Sequence, residues 1–362
     1  MRPVMLLCSL LSTVILAGCV DERALDPAGP NDPLFARGGP PTGPGPIQLP
    51  SLGSNSEAWG VNAAGTVIVG HSFDRRGLLF PVKWTLQNGA WTISILPDAP
   101  NTLGKAVNDQ GAAAGYRNNS QGSSAVLWPA TGGAIDLGCA PNAGAVQAWA
   151  ISASAPIVVG NAGGKAAVWN GPGSCQEDLP ALGTGGAFAF AVNANGTIIG
   201  GGSAPDPGAS NTTFPVRWTG TPGARHLQQL DPRVGSVHGS NGAGDLVGRV
   251  KVSCSLAGGC DRAIMWRVDG SVKELTELAS FGDNSIGTDV NAAGEVAGYL
   301  QTGTQSTAFL WSQQLGVVQL PSSSRSAVAR AVSDPRPDGT RLVIGTISVS
   351  GIRGAAWVVP NP

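Results

Sequence analysis

Charge is scarce in this chain of 362 residues. It holds 22 Lys and Arg against 23 Asp and Glu, 12% in all, for a formal net charge of -1. That balance leaves no basic footprint for nucleic acid, which is excluded as a partner. Histidine is rarer still: His71, His226 and His238 stand in separate contexts without metal-ligand spacing. There is no Cys-x-x-Cys, no His-Glu-x-x-His, no Gly-x-Ser-x-Gly and no phosphate loop. The stretch DPRPDG (Asp334–Gly339) sets carboxylates beside a Gly but lacks calcium-loop spacing, and reads as a lengthened turn. Neither metal nor cofactor is expected. Beyond the N-terminus no apolar run is long enough to cross a bilayer as a helix.

What is plentiful is Gly, 53 residues of it, within a composition that is 42% apolar. That is enough for a large core, and it points to short strands joined by tight turns. The leader MRPVMLLCSLLSTVILAGC has an early Arg, an apolar run and a small-residue end, which makes residues 1–18 a secretory signal peptide. Its last four residues, Leu16-Ala17-Gly18-Cys19, resemble the lipobox of bacterial lipoproteins. The resemblance implies cleavage before Cys19 and a diacylglyceryl group on its sulfur. The expected partner is therefore a membrane, reached through the lipid on Cys19. The expected address is the cell envelope, at the outer membrane (periplasmic or surface-facing) rather than the inner one. Residues 19–46 form a tether, with seven Pro and five Gly between 20 and 46.

From residue 47 to 362 the chain repeats. Each unit has an Asn-x-x-Gly turn, an apolar run ending in Gly, a Trp after small apolar residues, and a short segment of xxLP type. The turns begin at Asn62, Asn108, Asn193, Asn241 and Asn291, with Ser152 and Ser333 in two departing units. The anchors Trp84, Trp128, Trp169, Trp218, Trp266, Trp311 and Trp357 are spaced by 44, 41, 49, 48, 45 and 46 residues. Such a period signifies an array. Asn can bond the backbone two residues on, and Gly can adopt positive φ, so each turn joins antiparallel neighbours. Four strands per unit are expected, the outer ones marked by ISILP, AIDLG, QEDLP, LQQL, TEL (Thr276–Leu278) and VVQLP. This is an all-β fold, a seven-bladed β-propeller of four-stranded blades. The seventh unit ends just after Trp357 without a fourth strand, whereas IQLP (Ile47–Pro50) is a fourth strand without a blade. The N-terminal strand is thus predicted to complete the last blade and close the ring.

The segments TAFLW (Thr307–Trp311) and DLPALGTGG (Asp178–Gly186) resemble the HAF-type extracellular repeat, whose Ala-Phe-rich strand with Trp precedes a Leu-Gly-rich stretch and an Asn-x-x-Gly turn. The family's His-Ala-Phe triplet occurs nowhere intact. The resemblance spans about residues 47–362 and implies a secreted, propeller-like protein; it transfers no chemistry.

Apart from Cys8 and Cys19, four cysteines remain. In an exported protein an even number suggests disulfides. Cys254 and Cys260 share one loop and are expected to pair. Cys139 with Cys175 follows by elimination, yet strand tracing sets these two at opposite ends of their blades, so both the paired and unpaired states stay open.

Two features bear on function. The run from the strand-ending Gly to the Trp varies from 9 residues (Gly160 to Trp169) to 18 (Gly248 to Trp266), which places variable loops on the face opposite the Asn-x-x-Gly turns. Variable loops on a rigid frame commonly carry binding. Three positions before each turn stand Trp59, Lys105, Trp149, Phe190, His238, Thr288 and Arg330. The framework repeats while this position changes type. It reads either as inter-blade packing with snorkelling cations or as a sticky ring at the channel mouth. On the second reading Trp59, Lys105, Trp149, Phe190, His238 and Arg330 bind ligand. The expected function is a lipid-anchored extracytoplasmic module, monomeric, that binds a protein, peptide or glycan. The alternative is a propeller hydrolase or lyase acting on an extracellular polysaccharide, with carboxylates converging from different blades; a third reading is a purely structural envelope protein. No catalytic residue is assigned.

Overall fold

The computed structural model describes residues 45–360, apart from 121, 139–143, 207–211, 257 and 323. The signal peptide, Cys19 and nearly all of the tether lie outside the described residues. Seven sheets of four antiparallel strands are arranged as blades. Their inner strands are Gly53–Val61, Thr102–Val107, Val146–Ile151, Ala187–Val192, Gly235–Ser240, Asn284–Val290 and Ala327–Val332. In the first blade the inner strand is followed outward by Val67–Asp74, Leu79–Gln87 and Ala90–Ile95, and the order repeats around the ring.

Closure is as the repeat phase requires. The strand Ile47–Gln48 pairs with Gly351–Pro360 of the seventh blade, Ile47 opposite Ala356 and Gln48 opposite Ala355. The Leu49 N–H then donates to the Gly354 carbonyl at 2.9 Å. On the turn side the Asp334 N–H donates to the Ala63 carbonyl, and the Arg336 guanidinium reaches the Gly65 carbonyl. The seam between last and first blades is therefore stitched at both ends.

The core lies between blades rather than within them. Seven apolar clusters form, each containing one of the repeated Trp residues packed with the Leu at the end of, or just after, the outer strand of the preceding blade. All seven Trp are buried, none more than 2% exposed, because an indole is the largest apolar body a blade can wedge against its neighbour. The Pro of the LP segment has a second part in this joint. At three joints its carbonyl accepts the indole N–H of the next blade: Pro50 from Trp84 at 2.7 Å, Pro180 from Trp218 at 2.7 Å, Pro321 from Trp357 at 2.8 Å.

One outer strand is displaced from its expected place. In the fifth blade it is Val272–Glu274, and TEL lies in a short 3-10 helix, Thr276–Ser280. Leu275 there is followed by Thr instead of Pro, and the helix brings the Glu277 carboxylate to the Trp311 indole N–H at 2.6 Å. The acceptor that Pro supplies at those three joints comes here from a side chain.

The turns behave as their chemistry dictates. Asn62 Oδ1 accepts the N–H groups of Thr66 and Val67, both at 2.9 Å, and Gly65 has φ 64°. In the two Ser units the hydroxyl substitutes: Ser333 Oγ accepts the Leu342 N–H at 2.9 Å. Several of these Asn residues do more than make turns. The amides of Asn108, Asn241 and Asn291 donate to the carbonyls of Ser152, Asn291 and Ser333, one blade further on.

Candidate functional site: the central channel

Every inner strand contains a β-bulge, and its place is the same in all seven. Register slips between Ala58 and Gly60, Gly104 and Ala106, Ala148 and Ala150, Ala189 and Ala191, Val237 and Gly239, Gly287 and Asp289, and Ala329 and Ala331. The residue left unpaired in each is Trp59, Lys105, Trp149, Phe190, His238, Thr288 or Arg330. A bulge re-aims the side chain it carries, and these seven turn toward the axis.

The bulge also explains the repeated Gly of the second strand. It drives an inner-strand carbonyl against the neighbouring backbone. A Cβ on Gly70, Gly115, Gly160, Gly201, Gly248, Gly298 or Gly345 would lie 1.8–2.1 Å from the carbonyl oxygen of Glu57, Leu103, Gln147, Phe188, Ser236, Ile286 or Val328. Only Gly fits. The framework Gly and the variable ring residue are two halves of one device.

The ring divides the channel into two cavities of about 460 Å³ each, and all seven residues line both. The turn-face cavity is rimmed by Asp109, Asp289 and Asp334 among small residues. The loop-face cavity is bounded by Phe188, Thr213, Ser236, Arg249, Ile286 and Tyr299. Volumes of this size suit a small ligand or the end of a larger one.

Trp59 is sandwiched between cations. The Lys105 ammonium sits 3.2 Å from its ring centroid and the Arg330 guanidinium carbon 4.0 Å away. Lys105 also lies 5.0 Å from the Trp149 ring and 5.6 Å from that of Tyr116. Burial, reinforced by Arg330 and opposed by Glu57, pushes the Lys105 amine down to about 7. Burial likewise lowers the Arg330 guanidinium, with Glu57 opposing. An aromatic arc continues from Tyr116 through Trp149 and Phe190 to His238, at centroid separations of 5.5, 5.8 and 6.4 Å. Phe188 stacks parallel on Phe190 at 6.0 Å.

The histidines on this wall are neutral. His238 Nδ1 faces the Gly287 carbonyl at 3.0 Å, so Nδ1 carries the proton, and Nε2 accepts from the Ser236 hydroxyl at 2.8 Å. Burial, then Arg249, hold it down at about 4. His71 is lowered to about 3 by burial, then by Lys105 and Arg330. Asp289 moves the other way, raised to about 7 mainly by its enclosure, with Asp334 adding to the rise.

All six residues expected to bind ligand are thus gathered on one ring, with Thr288 as the seventh. They lie at the waist of the channel rather than at its mouth, because the bulge falls mid-strand. Cys254 and Cys260 are bonded, with Cα atoms 5.8 Å apart, on an outer loop away from the channel. Cys175 is engaged in a disulfide, and Cys139 lies outside the described residues. Sequence reading missed a second tier: His71, Tyr116, Arg249 and Tyr299, each directly after a second-strand Gly, and Glu57 and Phe188, two residues before the ring. The period-2 alternation of a strand carries that signal once the ring position is known. Among the described residues no three His, Cys, Asp or Glu side chains converge as metal ligands.

No family model matches the chain, and no curated protein matches it. Solved structures do resemble it. The β-propeller domain of the trilobed protease from Pyrococcus furiosus superposes with a TM-score of 0.53 and 10% identity, over 84% of this chain and 93% of that one. Virginiamycin B lyase from Staphylococcus aureus gives 0.52 and 10%, over 86% and 97%. At that identity the likeness bears on the fold alone. The protease domain is described as having an open velcro topology, whereas here the first strand shuts the last blade.

Proposed function

We propose that this chain is a binding module, held at the cell envelope by a lipid on Cys19, that takes a protein, peptide or glycan partner into its channel from the loop face. The observation that carries the reading is the composition of the ring: aromatic faces and two cations, set by bulges on a rigid frame and enclosing space for a ligand. The competing reading, a hydrolase or lyase acting on a polysaccharide, asks for paired carboxylates free to exchange protons. Each of the three rim acids commits one oxygen to the frame, and Asp289, raised to about 7 by burial and in part by Asp334, is the group nearest to that demand. Asp109, Asp289 and Asp334 each accept a backbone N–H from a neighbouring blade, those of Ala63, Val332 and Ala292.

Two experiments test the proposal. Partners pulled from envelope extract by the wild type should be lost with the Trp59→Ala/Trp149→Ala double variant; equal recovery of every partner removes the ring as a binding site. The Cys19→Ser variant should leave the membrane fraction, and its retention there would remove the anchor.

A further inference from the structure

Among the described residues neither the Lys105 ammonium nor the Arg330 guanidinium has a hydrogen-bonded or ion-paired partner; Arg330 Nε is buried with nothing to bond. Both lean on the Trp59 faces instead. A buried cation left in this state is costly, and an anion that meets it removes the cost. Glu57 stands nearby without pairing with either. One of its oxygens accepts the Trp59 indole N–H at 3.1 Å and the other lies 3.8 Å from His71 Nε2. With both histidines neutral, Arg330 and the protonated form of Lys105 outweigh the one carboxylate at the waist.

The other polar groups are already committed to the wall. Thr288 Oγ1 donates toward the Ala297 and Ala329 carbonyls, Thr213 Oγ1 to the Gly235 carbonyl and Ser236 Oγ to His238. The Trp149 indole N–H donates to Asn161 Oδ1 at 2.9 Å. Arg249 gives one nitrogen to Asp261 at 2.6 Å. What stays unclaimed is the donors of Lys105, Arg330 and Tyr299 with the rest of Arg249, among Trp149, Phe188, Phe190 and Ile286.

From this we infer that the loop-face cavity binds a monocarboxylate on an apolar or aromatic body, its carboxylate drawn to the free donors of Lys105 and Arg330 at the edge of Trp59 and its body lying against Trp149, Phe188 and Phe190. A sugar chain fits the same walls poorly. Its many hydroxyls must donate as well as accept, and the acceptors here are few. The inference rests on reading the ring as a binding site, and it selects the peptide-like end of the proposed range, such as a chain terminus with an apolar last residue.

The test uses the full-length protein and matched probes, followed by titration calorimetry or quenching of channel tryptophan fluorescence. N-acetylphenylalanine should bind at least tenfold more tightly than its amide, and more tightly than galacturonate or galactose. Lys105→Met and Arg330→Gln should each weaken the acid tenfold or more and abolish its preference over the amide, with thermal melts confirming that the variants fold. Equal binding of acid and amide overturns the inference, as does preference for galacturonate, which would point to an acidic glycan. If no probe binds but the double Trp variant still loses partners from extract, the carboxylate assignment fails alone. If those partners are also retained, the binding reading fails with it.

Discussion

The molecule has two circles of side chains, made by the same repeat and set in opposite surroundings. The outer circle, from Trp84 to Trp357, is one residue type seven times over, buried, each ring wedged between two blades. The inner circle, at the bulges, runs Trp, Lys, Trp, Phe, His, Thr, Arg and borders open space. A position that joins repeats must suit both neighbours in every copy, so its identity is fixed by packing. A position aimed at an axis meets no such demand. Sameness therefore marks the joint, and difference marks the wall of the channel.

The contrast can be broken most forcefully at the joints. Trp357→Ala should cost about 3–5 kcal/mol of unfolding free energy, as large cavities do. Trp149→Ala should cost no more than about 1–2 kcal/mol, since its indole borders the channel. Denaturant melts of the pair would check this, and equal losses would erase the distinction between circles. Next in size is deletion of Ile47–Pro50. It exposes the Leu49 pocket, worth about 1.5–3 kcal/mol, and orphans the Trp84 indole N–H and the Gly354 carbonyl, each worth about 1 kcal/mol. The melting temperature should fall, and hydrogen exchange should quicken in Gly351–Pro360 before it does in the fourth blade. Unchanged exchange there would mean that the seam holds without its strand.

The smallest effect sharpens the inner circle. The Lys105 amine titrates near 7 in the fold against an ordinary value of 10.5. Between those values the unfolded chain holds the extra proton, so this group makes stability rise with pH across that window. Asp289, at about 7 against 3.8, makes stability fall as pH climbs between those two values. Lys105→Met should flatten the alkaline limb and Asp289→Asn the acid one, as read from urea midpoints across pH. Carboxylate binding should weaken above pH 7 in the wild type, as the ammonium facing Arg330 and Glu57 loses its proton, and should show no such decline in Lys105→Met.

Much of this was legible in the sequence because repetition is a strong signal. Seven Trp at even spacing gave the blade count, and IQLP without a blade gave the closure. The ring positions were found by counting back from each turn. Their β-bulges were not, although the small residues flanking them and the Gly opposite were in plain view, because the clash that excludes a Cβ arises only when two strands are laid side by side. The displaced strand of the fifth blade escaped for a related reason: Leu275 followed by Thr lacks the Pro that marks the joint, and Glu277 restores the bond from a helix. The depressed Lys105 was beyond reach because its cause is the meeting of blades one, two and seven at one point.

The direction of one short strand has a last consequence. Ile47–Gln48 occupies an outer position, and outer strands run from the turn side of the disk to the loop side. Gly45 and Pro46 therefore depart from the turn side. A tether attached upstream of them would leave from that side, opposite the opening that Tyr299 borders, and would not cross that opening as it leaves the disk.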